Sequence, residues 1–335
     1  MKKNKTTRMM IQVMVCLITI LVCTVDLLAQ AGKTNQVHVG IIYPLSTNGK
    51  TALVDTNRFS LHLISGVSQQ EDACLITGVS GIVKGKAYGV AIAGVSNHIT
   101  YAKGTQVAGM LNHIKDSAQG LQIAGLANLT GKEAKGVQIA GVINKAGDVT
   151  TQVAGLVNVA KRVKGVQVAG LINVAEASDY PIGILNFIKE GELQLGVTLD
   201  EAGSSLLTFR SGGNVLYGIL GIGYNFKHEE ARYILEGGIG AHLIAQKAFR
   251  LNAELASAAM TSFEDGIYNK QSFRALAGYR VVPGLELFAG PTFNHLLFEA
   301  DQPAIRDDRY LWTHSGKDYF SGFFIGGIIG LQISL

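Results

Sequence analysis

Residues able to do chemistry are scattered thinly along this chain. His98 and His113 each follow a repeat asparagine by one residue, so in a stack of repeats they would sit about one strand spacing apart and could share a metal. A zinc site needs roughly three or four donors, and two histidines without a third read as polar strand ends; no metal is expected. His228-Glu229-Glu230-Ala231-Arg232 lacks the second histidine of a zinc-protease helix. Gly78-Val79-Ser80-Gly81 lacks the spacing of a nucleophile elbow. Gly221-Ile222-Gly223 and Gly237-Gly238-Ile239-Gly240 hold pieces of a dinucleotide fingerprint, yet neither opens a helix in a βαβ unit. As strand glycines they have a simpler use, close packing or bending of a curved sheet. Asp200-Glu201 and Asp307-Asp308 are paired acids in expected loops, where solvated surface is the plain reading and a calcium loop the alternative. An enzyme and a bound cofactor are therefore not expected. The remaining candidate is a contact loop: Trp312, the only tryptophan, stands with Tyr310 and Arg309 in the long connection 299–318. An aromatic group with mixed charge on a loop suits recognition of an extracellular ligand.

The elements that would carry these residues are dominated by one phrase. GVAIAGVSN, GTQVAGMLN, GLQIAGLAN, GVQIAGVIN, TTQVAGLVN and GVQVAGLIN follow one another, with a degenerate PIGILN after them, so that residues 89–186 form a repeat of 13–16 residues. That period fits one strand and one turn and is too short for a helical hairpin. Further strands are expected over 36–45, 59–67, 74–83 and, beyond the repeats, from 193 to the last residue; no segment after the leader shows a helical stripe with caps. The chain reads as all-β.

The N-terminal segment reads as a signal peptide. Lys2, Lys3, Lys5 and Arg8 precede the apolar run 9–25, and Ala29-Gln30-Ala31 fits a cleavage site, so residues 1–31 are set apart and 32–335 are expected to form a single β-barrel domain. A retained transmembrane helix and lipoprotein processing at Cys23 are the competing readings. The net charge of +4 belongs mostly to this leader: without its four bases and one acid, 25 bases face 24 acids, and no nucleic-acid partner is expected. Cys16 and Cys23 leave with the leader, which removes any intramolecular disulfide from Cys74.

Two architectures fit the strands. In the first, roughly eighteen strands close into an antiparallel up-and-down outer-membrane barrel. Long connections at 46–57, 261–270 and 299–318 all follow odd-numbered strands; acids such as Asp116 and Asp148 gather with them, while Lys103, Lys132 and Lys161 follow even ones, as opposite rims would demand. One face of each repeat would meet lipid. The other would line a lumen with Gln106, Gln122, Gln138, Gln152 and Gln167 and with Asn112, Asn128, Asn144, Asn158 and Asn173. In the alternative, the repeats stack as a β-solenoid with an asparagine ladder, followed by a smaller C-terminal barrel. The absence of any aromatic residue between Tyr101 and Tyr180 favours this second arrangement.

The phrase GVQIAGLxN, the passage SDYPIGILN (178–186) and the stretch FRSGGNVLYGILGIGYN (209–225) resemble a family of exported surface-repeat proteins of Bacteroidetes, with related repeats in leptospires. The resemblance covers most of the chain after the leader and implies a cell-envelope protein; it carries no catalytic residues. Combined with the strand pattern, the expectation is an outer-membrane barrel of a Gram-negative bacterium, a passive channel for small solutes or a surface scaffold, with outer-membrane lipid as its partner. The alternative is a surface-exposed solenoid binding or adhesion module attached to the envelope.

Overall fold

A glycine-centred repeat with an amide on one face can pack against copies of itself, and this chain does so. The computed structural model describes residues 37–264, 266–305 and 310–335. The expected leader, 1–31, lies outside them. The described residues are all-β, and they divide into two sheets with different rules.

From Val37 to Ile188 the strands pair in parallel with their equivalents in neighbouring turns, apart from the short antiparallel pairing of Leu45–Ser46 with Val37–Ile42, and build a β-solenoid of about nine turns. Each repeat gives two strands, such as Ala134–Ala140 and Ile143–Lys145, bent at Gly141-Val142. Glycine is required at that bend by the stacking itself: a Cβ on Gly141 would lie 2.2 Å from the carbonyl oxygen of Gly125 directly beneath it. Gly136 adds a second requirement, with φ of +145° and a Cβ position only 1.9 Å from Gly120 O. Between the walls the space is thin. Alanine fills it in register at Ala108, Ala124, Ala140, Ala154 and Ala169, all buried.

From Glu192 onward the pairing turns antiparallel. Glu192–Asp200, Ser204–Gly212, Leu216–Asn225, Tyr233–Ala245, Phe249–Thr261, Ile267–Val282, Leu285–Glu299 and Tyr319–Ser334 form an eight-stranded closed barrel, the first strand pairing with the last. A short strand, Trp312–Ser315, adds to the last one at one rim.

The fold therefore matches the solenoid-and-barrel alternative, and the roughly eighteen-stranded barrel expected over 32–335 does not form. The charge alternation that suggests it has another origin. Asp116 and Lys132, assigned to opposite rims, sit one turn apart on the same solenoid edge and form a salt bridge of 2.8 Å. In a solenoid every interval between repeats returns to one edge, so acids and bases that follow one another in sequence become stacked neighbours.

The two units meet end to side. The last solenoid turn, Ala177–Ile182 and Leu185–Ile188, packs on the hairpin between the second and third barrel strands. Asn186 N–H donates to Ser211 Oγ at 2.9 Å, and Gly218 lets the barrel wall approach Gly183 O and Ile184 O closely.

Candidate functional site

Three polar assemblies are built by this fold. The longest runs inside the solenoid. Asn97, Asn112, Asn128, Asn144, Asn158, Asn173 and Asn186 are in register and wholly buried. Each Nδ2 donates to the Oδ1 of the next, at 2.8–3.0 Å, and also to a carbonyl of the wall, as Asn144 does to Val153 O. The ladder has defined ends. At its start Gly81 occupies the place of an asparagine, and Asn97 Oδ1 accepts no hydrogen bond among the described residues. At its finish Asn186 Nδ2 donates to Gly183 O and to Ser211 O of the barrel. A second ladder runs the other way: Gln138 donates to Gln122, Gln152 to Gln138 and Gln167 to Gln152, at 2.7–3.0 Å. Gln106 shares the register without joining this chain of bonds.

These are the residues that strand alternation assigns to a lumen. The structure brings them together, but as the packed interior of the solenoid; they line no open channel. Within the ladders, amides paired to one another and to backbone satisfy most of their polar groups, and the atoms without a partner lie toward the ends, at Asn97 Oδ1, Gln106 Oε1, Gln122 Nε2 and Gln167 Oε1.

The barrel interior is the second assembly, and it is charged. Arg210 donates to Glu254 at 2.9 Å; Arg274 bridges Glu236 and Glu254; Arg250 bridges Glu192 and Glu286; Lys270 pairs with Asp200. Tyr217 donates to Glu254 at 3.0 Å, and the Arg210 guanidinium lies 4.9 Å from the Phe288 ring centre. Strand alternation places these groups inward and apolar ones outward. While Glu254 pairs across the sheet with Arg274 on the inner side, the next positions, Leu255, Phe273, Phe293 and Ile325, follow one another around the outer side and are 45–58% exposed. Aromatics gather at both ends of this wall. Tyr233 contacts both Tyr224 and Phe263 at the rim with long connections, and Phe249 pairs with Tyr279 at the rim with short turns.

The third assembly lies in the first solenoid turns, and sequence reading misses it. His38, Asn57, Ser60, His62 and Glu71 are buried together although spread over 34 residues. Glu71 Oε1 accepts from Ser60 at 2.7 Å and Asn57 at 3.1 Å, and the rings of His38 and His62 meet edge to face at 4.4 Å. Burial raises the Glu71 carboxyl to about 7 against these hydrogen bonds, with nearby Asp72 adding to the rise. Burial, then the neighbouring His38, pushes His62 down to about 4. The parallel pairing of Asn57 with Glu71 and of His38 with Ser60 would be needed to find it.

Of the other candidates, His98 and His113 do stack, with ring centres 5.8 Å apart. Among the described residues no group of three or more His, Cys, Asp or Glu is placed to hold a metal ion. Tyr310 packs into the rim cluster against Phe320 and Phe324, and Trp312 lies outside on Phe323, so the two are not presented on one face. Arg309, with Asp307 and Asp308, lies outside the described residues. Comparison with protein-family models, with curated proteins and with solved structures finds no match for this chain.

Proposed function

We propose that this is a cell-envelope protein in which the eight-stranded barrel anchors the chain in an outer membrane and the solenoid is a binding module held beside it. The observation that carries the reading is the inverted polarity of the barrel: ion pairs inside, Leu255, Phe273, Phe293 and Ile325 outside. A water-soluble barrel has no reason to expose such a band. A lipid-facing one requires it, together with aromatic residues at both interfaces and closure that leaves no unpaired edge in the membrane. Strands of 9–16 residues are long enough to cross when tilted.

A passive channel fits less well. About eight strands enclose only room for side chains, and Arg210, Arg274, Glu236 and Glu254 occupy that room. The rims also bear on which side the solenoid occupies. It joins the barrel at the rim of short turns, such as Pro283-Gly284, opposite the long connection 300–318. In outer-membrane barrels short turns face the periplasm. That orientation favours the periplasmic side over display on the cell surface.

Outer-membrane fractionation tests the anchor. The full chain is expected to resist carbonate and urea extraction and to run faster on a gel before heating than after. Release by urea, with no heat-modifiable band, would remove the anchor reading. Protease added to intact cells is expected to leave the solenoid uncut.

A further inference from the structure

The solenoid has two unlike edges. At the edge away from the glycine bend stand Lys103 and Lys161 with the ion pairs Lys132–Asp116 and Lys135–Glu133. The bend edge has no charge at all: Met110, Leu126, Val142, Leu156, Leu171 and Ile184, one per turn, are 37–47% exposed. Turns stacked at about 4.8 Å make this an aliphatic strip of roughly 25 Å, longer than scattered surface leucines would produce.

This strip does not end in water. At the junction Gly170, Ile182 and Ile184 face Ile239, Leu255 and Phe273 across a groove of about 600 Å³, so the bend edge runs without interruption into the outer wall of the barrel. We propose that the aliphatic edge of the solenoid lies in the lipid of the same membrane, in the leaflet on the short-turn side, with the charged edge turned to water. The inference rests on the barrel being a membrane anchor. Lipid fits this surface better than a protein partner does. Protein interfaces concentrate aromatic residues, Met and Arg, whereas this strip has no aromatic residue and no Arg, is Leu, Val or Ile in every turn but that of Met110, and joins an apolar wall. The arrangement has the logic of an amphipathic interfacial helix, built from stacked strands.

The test uses the full chain in a Cys74→Ser background, reconstituted into phosphatidylcholine–phosphatidylglycerol vesicles. Leu126→Cys and Leu156→Cys report the bend edge, Lys132→Cys the charged edge and Ile329→Cys the barrel wall away from the groove. Each carries bimane and is challenged with nitroxide on the lipid acyl chain or with iodide in water. Blue-shifted emission and loss of fluorescence to acyl-chain nitroxide are expected at 126, 156 and 329, with loss to iodide alone at 132. Quenching by lipid at 329 but not at 126 or 156 overturns the inference and leaves the anchor standing. If 126 and 156 escape both quenchers and the same cysteines, left unlabelled, form disulfides between molecules, a second copy covers the edge and the inference is again overturned. No lipid quenching at 329 removes the anchor reading and this one with it.

Discussion

Solenoid and barrel both bury polar side chains, and they satisfy them in opposite ways. In the solenoid each amide pairs with a copy of itself one turn away, so donor and acceptor are the same residue type and the pattern must recur. In the barrel each carboxylate pairs with a base on another strand, 38 residues distant for Arg274 and Glu236, 44 for Arg210 and Glu254, and nothing need recur. Self-pairing is neutral, and its parts are interchangeable. Complementary pairing is charged, and each part is particular. Loss of one partner should therefore be severe in the barrel and more moderate in the ladder.

The sharpest break is Glu254→Ala, which strips Arg210, Arg274 and Tyr217 of their shared acceptor. Arg274 keeps Glu236, but Arg210 is left with no carboxylate, and a buried cation stripped of its partner costs about 3–5 kcal/mol. The heat-modifiable form should weaken or vanish while a protease-resistant solenoid survives; equal loss of both would mean that the two units fold as one.

The next effect depends on pH and belongs to the solenoid alone. Glu71 has its folded value raised from 4.5 to about 7, so its contribution is intact below about 4.5 and is lost as pH rises through 7. His62, lowered from 6.5 to about 4, contributes fully above 6.5 and loses that contribution as pH falls toward 4. Glu71→Gln should therefore be more stable than the parent at pH 8, by on the order of 3 kcal/mol, and indistinguishable near pH 4.5. Urea midpoints at the two pH values check this, and a constant offset would rule out a titrating Glu71.

Asn144→Leu interrupts the ladder at its middle. Asn128 loses an acceptor, Asn158 Oδ1 and Val153 O lose a donor, and about 2–3 kcal/mol of solenoid stability should go with them. Barrel insertion should not change. The smallest effect is expected at Lys132→Ala, where the bridge to Asp116 is largely solvated and its removal should leave the urea midpoint of the solenoid essentially unchanged. A large loss there would show that the charged edge holds the stack together.

The same contrast explains what can be read in the sequence. The repeat is visible because self-pairing writes the same letters at every turn; the recurrence of Gln138 and Asn144 in their neighbours announces a shared amide face by itself. The destination of that face is not visible. A strand alternating Val137, Gln138, Ile139 and Ala140 has the period of a lipid-facing barrel strand and of a solenoid wall alike, and only the parallel register separates them. The barrel is legible as strands with aromatic ends, but Arg210 and Glu254 carry no sign of each other across 44 residues. The cluster of His38, His62 and Glu71 is invisible for the same reason, since it is assembled by stacking of turns that do not repeat.

The two ends of the asparagine ladder are chemically fixed, by Gly81 at one and Ser211 at the other, while the middle turns are equivalent. Gain or loss of a whole repeat from the middle would thus leave both terminations of the asparagine ladder as they are. Such a rod works as a ruler: its reach changes in increments of about 4.8 Å, one rung at a time, and duplication of a single coding unit is enough to reset it.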